Sequence, residues 1–185
     1  PICILDLDSV KMMEKDPTEY QSISYLESLN ANTPYTISSD GTSIVLNSTN
    51  QEKVKVEFVQ EDTAKIWMEP TGTFKKKASF VVDQEAASIV PKVTNKEDYV
   101  LIQTEKMSLR VYKSPFKLAY YDSENTKLFT EHTDGKGLGY DGDTGVYSIL
   151  KLDPKEHFFG LGMDRDSQSF DRRGHKVEMN NGMKG

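Results

Sequence analysis

The sequence predicts an all-β fold, an antiparallel β-sandwich with little helix. Short segments of alternating apolar and polar residues recur along the chain, and turn residues separate them at intervals of about 8–12 positions. Pro70, Pro91, Pro115 and Pro154 all fall between these segments, where a missing N–H does not interrupt a ladder of hydrogen bonds. Both observations favour many short strands joined by turns.

The first predicted strands, residues 35–38 and 43–46, flank Asp40 and Gly41, a dipeptide that tolerates the positive φ angles of a tight hairpin turn. Residues 54–58 follow, and their apolar side chains alternate with charged ones, as in a strand with one wet face. Further strands are predicted, in chain order, at residues 64–68, 78–82, 99–103, 108–112, 117–121, 127–130, 146–152 and 176–179.

Residues 17–29 fit two patterns. Tyr20, Ile23 and Leu26 recur at a spacing of three, as apolar residues do on a helix, whereas Ile23 and Tyr25 alternate as they would on a strand. The sequence therefore predicts either a short helix or an edge strand in this segment, and the two alternatives stay open at this point.

The composition argues against nucleic-acid binding and against a membrane span. The chain has 23 Lys and Arg against 29 Asp and Glu, a formal net charge of -6. Affinity for nucleic acid comes mainly from cationic side chains that displace counterions, so no nucleic-acid partner is expected. No segment approaches the roughly 20 apolar residues that cross a bilayer, so no membrane span is expected. With 185 residues, a single domain over residues 1–185 is predicted.

Cys3 is the single cysteine, so the domain cannot form an internal disulfide and must be stabilised by packing. The sequence begins without Met, which suggests a processed or excised piece of a longer protein. A soluble protein is expected. Its compartment stays open, with a secreted or periplasmic location if a signal peptide has been removed.

Several motifs for catalysis or cofactor binding fail on inspection. Residues 137–142 satisfy GxGxxG, but a second turn follows where a dinucleotide site requires a helix, so a glycine-rich surface loop is predicted. The same segment resembles the opening of a calcium loop, yet Leu152 stands where a bidentate Glu should close it. His132, His157 and His175 lack the spacing of a preformed zinc site. No catalytic residue, metal site or cofactor is predicted.

The most distinctive segment lies near the C-terminus. It contains Phe-Gly-Leu-Gly at residues 159–162 and Arg-Gly at residues 173–174, and it reaches Asn180 and Asn181. An aromatic residue followed by alternating glycines suggests a strand that another segment approaches closely. The segment resembles the end of the N-terminal β-sandwich of glycoside hydrolase family 31, the family of α-glucosidases and α-xylosidases. Two earlier stretches also resemble that family's pattern, residues 54–74 and 99–129.

This resemblance implies a galactose mutarotase-like super-sandwich. Members of the family have their nucleophile and general acid on a (β/α)8 barrel that follows the sandwich, and a retaining glycosidase needs two such carboxylates about 5 Å apart. The sequence reaches Gly185 before any alternation of strands and helices begins. The expected partner of the domain is therefore its own catalytic barrel, downstream of these residues.

Asn180 and Asn181 are the substrate-binding residues that the resemblance implies. In the family, the loop at this point extends from the sandwich toward the mouth of the active site. Asn181 matches the motif by identity, whereas Asn180 stands where Trp is common and Met163 where Glu is usual. The expected function is non-catalytic: the domain packs on the barrel and contributes a loop to a pocket for α-linked oligosaccharides, either glucosides or xylosides.

Two other functions remain open. A stand-alone carbohydrate-binding module would stack sugars on exposed aromatic rings, for which Trp67, Tyr120 and Tyr121 are candidates, although burial in the core is the commoner role of such residues. The alternation itself implies that Trp67 and Phe58 are buried. A mutarotase-like enzyme would instead require a Glu base and His acids that converge in a cleft.

Overall fold

The computed structural model describes residues 2–6, 23–74, 89–132, 134–142, 145–159 and 170–173. Those residues form strands, turns and irregular segments with no helix, which confirms the all-β prediction. In chain order the strands are β1 (Ile2–Asp6), β2 (Ser24–Tyr25), β3 (Tyr35–Ile37), β4 (Ser43–Asn47), β5 (Lys53–Gln60), β6 (Thr63–Glu69), β7 (Lys92–Asn95), β8 (Tyr99–Gln103), β9 (Met107–Lys113), β10 (Phe116–Asp122), β11 (Lys127–Glu131), β12 (Leu138–Asp141) and β13 (Gly145–Lys151).

The strands form two sheets. The larger has the order β2-β12-β13-β11-β10-β9-β8-β7, and β1 joins it by pairing in parallel with β13. The smaller has the order β3-β4-β5-β6. All other pairings among the described strands are antiparallel, as expected for short strands joined by tight turns. Gly41 has a φ of 76° in the β3–β4 turn, which confirms the predicted hairpin.

One core lies between the two sheets. Along β5, every second side chain is buried, and its antiparallel partners on β6 extend the same apolar face, as in the pair Val54 and Met68. The larger sheet contributes alternate residues of β8, β9 and β10 to the same cluster. Its fully buried members include Phe116, Leu26, Ile44, Leu46, Ile102, Leu109, Leu118, Val54, Val56, Val100 and Val111.

A buried polar contact joins the two sheets. Glu52, directly before β5, accepts a hydrogen bond from the hydroxyl of Tyr140 on β12 at 2.9 Å and another from Ser48 at 2.8 Å. The Glu52 side chain is almost fully removed from water, so its carboxylate depends on these donors.

Residues 137–142 do not form the surface loop that the sequence predicted. Leu138–Asp141 is a strand between β13 and β2, and Leu138 is buried. A Cβ atom at Gly139 would lie 2.8 Å from Ile23 Cγ2 and 3.0 Å from the backbone oxygen of Ser24. The glycine therefore permits close strand packing, and β13 follows where a dinucleotide site would need a helix.

The ambiguous segment 17–29 contains an edge strand at Ser24–Tyr25, paired with β12, and residues 17–22 lie outside the described part of the chain. Strands β1 and β7 were not predicted from the sequence. The predicted strands at residues 78–82 and 176–179 also lie outside the described residues.

Candidate functional site

Asn180 and Asn181, the expected substrate-binding residues, lie outside the described residues. The described part of the same segment is a short stem in which residues 157–159 lie against residues 170–173. Phe159 and Asp171 form an antiparallel bridge, and the Arg172 N–H donates to the Phe158 carbonyl oxygen at 2.7 Å. The stem therefore joins the two sequence motifs that support the family resemblance.

Asp171 organises this stem. Its Oδ2 lies 2.6 Å from His157 Nδ1, and its Oδ1 accepts the backbone N–H groups of Phe158 at 3.1 Å and Arg173 at 3.0 Å. The hydrogen bond to His157, followed by the two backbone donors, lowers the pKa of Asp171 to about 2. The carboxylate is therefore ionised throughout the physiological pH range. Sequence reasoning gave Asp171 no role, although an Asp at a turn commonly accepts local backbone N–H groups.

Arg173 ties the stem to the segment that follows β13. Its Nη1 donates to the carbonyl oxygens of Asp153 at 3.0 Å and Glu156 at 2.5 Å. Two aromatic rings on the same stem face solvent: Phe159 is 70% exposed and Phe170 is 88% exposed. The stem thus presents apolar surface on a hydrogen-bonded base, an arrangement suited to contact with another surface.

Replacing Asp171 with Ala will open the stem. The variant removes the carboxylate that His157 and the backbone N–H groups of Phe158 and Arg173 all contact. The amides of Phe158 and Arg173 should therefore exchange with solvent faster, while amides of the core strands β8 to β10 keep their protection. Hydrogen exchange measured residue by residue checks this, with Asp62→Ala at an exposed turn as the control. Unchanged exchange at residues 158 and 173 would show that Asp171 does not hold the stem.

Glu131 has the most strongly shifted pKa of the carboxyl groups in the described residues, but it is not placed for catalysis. Its side chain is 1% exposed, and burial raises its pKa to about 8, against the opposing effect of a hydrogen bond from the Leu118 N–H at 2.9 Å. Gly137 packs directly against the carboxyl group, leaving no room for a side chain. A substrate therefore cannot reach Glu131, so this residue does not provide the base in an open cleft that a mutarotase-like enzyme needs.

The described residues contain no group of three or more His, Cys, Asp or Glu side chains placed to hold a metal ion. The side chains of Cys3 and His175 lie outside those that the structure describes. His157 instead pairs with Asp171 on the stem surface.

The three candidate sugar-stacking rings lie in different environments. Tyr120 is buried in the core and stacks on Phe129 with ring centroids 4.2 Å apart. Trp67 and Tyr121 are half-buried on the outer faces of the smaller and larger sheets, so their assignment to the core was wrong. The reason is strand parity: the neighbours Met68 and Tyr120 take the core-facing positions.

Cations already cover these outer rings. Lys55 Nζ lies 5.0 Å from the Trp67 ring centroid, and the Arg110 guanidinium carbon lies 4.0 Å from that of Tyr121. Phe74 also contacts Trp67, edge to face, at 5.7 Å. A ring face occupied by a cation is not free to stack on a sugar, which weakens the case for a stand-alone carbohydrate-binding module at these rings.

The two sheets with one core between them define the fold as a β-sandwich. A sequence profile described as the glycosyl hydrolase 31 N-terminal galactose mutarotase-like domain matches residues 53–182. The chain belongs to this family, and the prediction from the C-terminal motifs is confirmed.

Known proteins with similar sequences and structures agree. Alpha-glucosidase 2 of Bacillus thermoamyloliquefaciens is 27% identical over 126 residues, 68% of this chain and 16% of that protein. A glycoside hydrolase family 31 dextranase of Flavobacterium johnsoniae, solved with isomaltotriose, superposes with a TM-score of 0.69 at 29% identity, covering 82% of this chain and 18% of the dextranase. An α-xylosidase of Xanthomonas citri shares the fold, with a TM-score of 0.61 at 16% identity over 79% of this chain and 17% of its own.

The chain thus spans less than a fifth of the length of these relatives. Within the described residues, no helix has the length and apolar character needed to cross a membrane.

Proposed function

We propose that this chain is the non-catalytic N-terminal domain of an α-glycosidase, which packs against a catalytic barrel of the same enzyme and contributes a loop to the substrate pocket. The observation that supports this most strongly is the family match over residues 53–182, which contains the stem and both asparagines. The substrate class is α-linked glucosides or xylosides, the classes named for the relatives.

The stem geometry supports the loop role. Asp171 and Arg173 fix one end of the segment that leads to Asn180 and Asn181, and a loop that contributes to a pocket gains precision when its base is held by hydrogen bonds. Exposed Phe159 and Phe170 on the same stem are suited to packing against a neighbouring domain. Asparagine amides can both donate to and accept from sugar hydroxyls.

Glycosidase activity of the isolated 185 residues tests the non-catalytic assignment. We expect no turnover of α-glucosides or α-xylosides by this chain and normal turnover by the enzyme that contains its barrel. Robust hydrolysis by the isolated chain would overturn the proposal. Titration of the chain with glucose, xylose and short oligosaccharides separates it from the module alternative, because measurable binding would favour the module.

In the intact parent enzyme, Asn181→Ala should lower kcat/KM for its oligosaccharide by about tenfold, as expected for the loss of a hydrogen bond to substrate, while the melting temperature stays within about 1 °C. Asn32→Ala, at an exposed turn far along the chain, is the matched control and should change neither quantity. Equal kcat/KM in Asn181→Ala and wild type would remove Asn181 from the pocket.

A further inference from the structure

The outer face of the larger sheet contains a clamped arginine. Arg110 is at the middle of β9, where its neighbours Leu109 and Val111 point into the core, so its own side chain lies on the opposite face. There the guanidinium carbon lies 4.0 Å from the ring centroid of Tyr121 on β10 and 5.5 Å from that of Tyr99 on β8. Two aromatic rings therefore restrict the plane of one guanidinium group.

A third contact completes the clamp. Arg110 Nη2 donates to Asn125 Oδ1 at 2.5 Å. Asn125 has a φ of 65°, in the left-handed region that Asn tolerates better than most residues. Asp122 holds this turn by accepting the Thr126 N–H at 2.7 Å. The turn thus presents the Asn125 amide to the arginine.

The clamp leaves Arg110 incompletely satisfied. Its Nε atom is buried and has no hydrogen-bond acceptor among the described residues, whereas most buried donors in proteins are satisfied. No carboxylate among the described residues forms an ion pair with Arg110. The cations in the ion pairs between described residues are Lys55, Lys65, Lys106 and His157. Arg110 therefore provides a half-buried, oriented positive charge that no carboxylate among the described residues neutralises.

A second cation lies on the same face. Lys117 on β10 is paired in register with Tyr112, and its Nζ lies 4.5 Å from that ring centroid. Because Ala119 is the register partner of Arg110, Lys117 is a diagonal neighbour of the arginine. Lys117 likewise has no ion-pair partner among the residues that the structure describes. The face therefore combines a tyrosine surface with two positive charges that no described carboxylate pairs with.

We propose that this face, formed by Arg110 and Lys117 with their tyrosines and Asn125, is a binding site for a carboxylate group. A guanidinium held in one plane is pre-organised for a carboxylate, and Lys117 adds a second positive charge nearby. Because Nε is buried and one Nη2 N–H is donated to Asn125, the parallel donors are an Nη1 N–H and the other Nη2 N–H. The carboxylate is either that of an acidic sugar or that of an acidic side chain from another part of the enzyme. The ring faces are already covered by cations, so a neutral sugar is not the expected ligand.

Titration of the 185-residue chain at low ionic strength tests this site. Acetate and glucuronate are the probes, glucose is the neutral comparison, and chemical shifts of the backbone amides of β9 and β10 are the readout, because these amides are present in every variant. Both carboxylates should bind saturably and glucose should not. Glucuronate binding more tightly than acetate would identify an acidic sugar as the source, whereas equal affinities would identify a bare carboxylate such as an acidic side chain.

Variants locate the site. Arg110→Gln should weaken binding of either probe at least tenfold, and Arg110→Lys should also weaken it because an ammonium cannot form the parallel pair. Lys106→Gln, a matched removal of charge at an exposed position, should have no effect. If Arg110→Gln fails to fold, the wild-type titration and Lys117→Gln test the site instead, and Lys117→Gln should weaken the binding of both carboxylates. Absence of saturable binding by both carboxylates, or equal binding by the folded arginine variants, would overturn the proposal.

Discussion

Replacing Glu131 with Gln will stabilise the domain at pH 8 and remove much of the dependence of its stability on pH. The carboxyl has an ordinary pKa of 4.5, and burial raises it to about 8 in the folded state. Between these values the folded domain retains a proton that the unfolded chain has released. The stability due to this proton is therefore complete below about pH 4.5 and is lost as the pH rises through 8.

The size of the effect follows from the difference between the two pKa values, which corresponds to several kcal/mol on the order-of-magnitude scale of about 1.4 kcal/mol per unit. For a chain of this length that is roughly 10 °C in melting temperature. Gln keeps an oxygen that can accept the Leu118 N–H and does not titrate, so thermal melts of wild type and Glu131→Gln between pH 5 and 9 should diverge as the pH rises.

Exposed Glu124→Gln is the control and should follow the wild-type curve. Parallel curves for wild type and Glu131→Gln would contradict the assignment of the pH dependence to the buried carboxyl.

Phe58→Ala will destabilise the domain far more than Trp67→Ala. Phe58 is 2% exposed within the core, and its truncation should cost about 3–5 kcal/mol through lost burial and a residual cavity. Trp67, on the outer face of β6, loses mainly its contacts with Phe74 and Lys55, which we expect to cost about 1–2 kcal/mol. Urea unfolding followed by circular dichroism measures both.

The comparison is informative because the two residues occupy adjacent strands and the sequence alone treats both as apolar. Lys55→Ala removes one cation from the Trp67 ring, and its loss of unfolding free energy should be equal to or smaller than that of Trp67→Ala. Equal losses for Phe58→Ala and Trp67→Ala would indicate that something covers the outer face of β6.

The parts of the fold that sequence reasoning predicted correctly are those in which alternation alone is sufficient. Residues 54–58 alternate strictly, so the strand and the faces of Val54 and Val56 follow from parity, whereas Trp67 interrupts the alternation of residues 64–68 and its face was not predicted. Leu138–Asp141 escaped detection because glycines normally indicate a loop, and the close approach of β2 that requires Gly139 is a long-range contact.

For the candidate sites, the sequence supplied family motifs but not the arrangement of side chains. Asp171 became recognisable as an organising residue only when its donors, fourteen residues earlier and two residues later, were placed around it. Arg110 belongs to no sequence motif. Its contacts with Tyr99, Tyr121 and Asn125 depend on the register of three strands and on the left-handed conformation of Asn125. The roles of Asn180 and Asn181 stay predictions.

The N-terminal strands determine where this domain can be cut. The family profile begins at residue 53, yet β1 pairs along β13, β2 lies on the edge of β12, and β3 and β4 form half of the smaller sheet. An expression fragment that started at residue 53 would remove all four strands and leave the backbone donors and acceptors of β5, β12 and β13 open along their edges. Unpaired edges of this kind favour intermolecular pairing and aggregation. The folding unit therefore begins well before the region that sequence similarity alone would delimit.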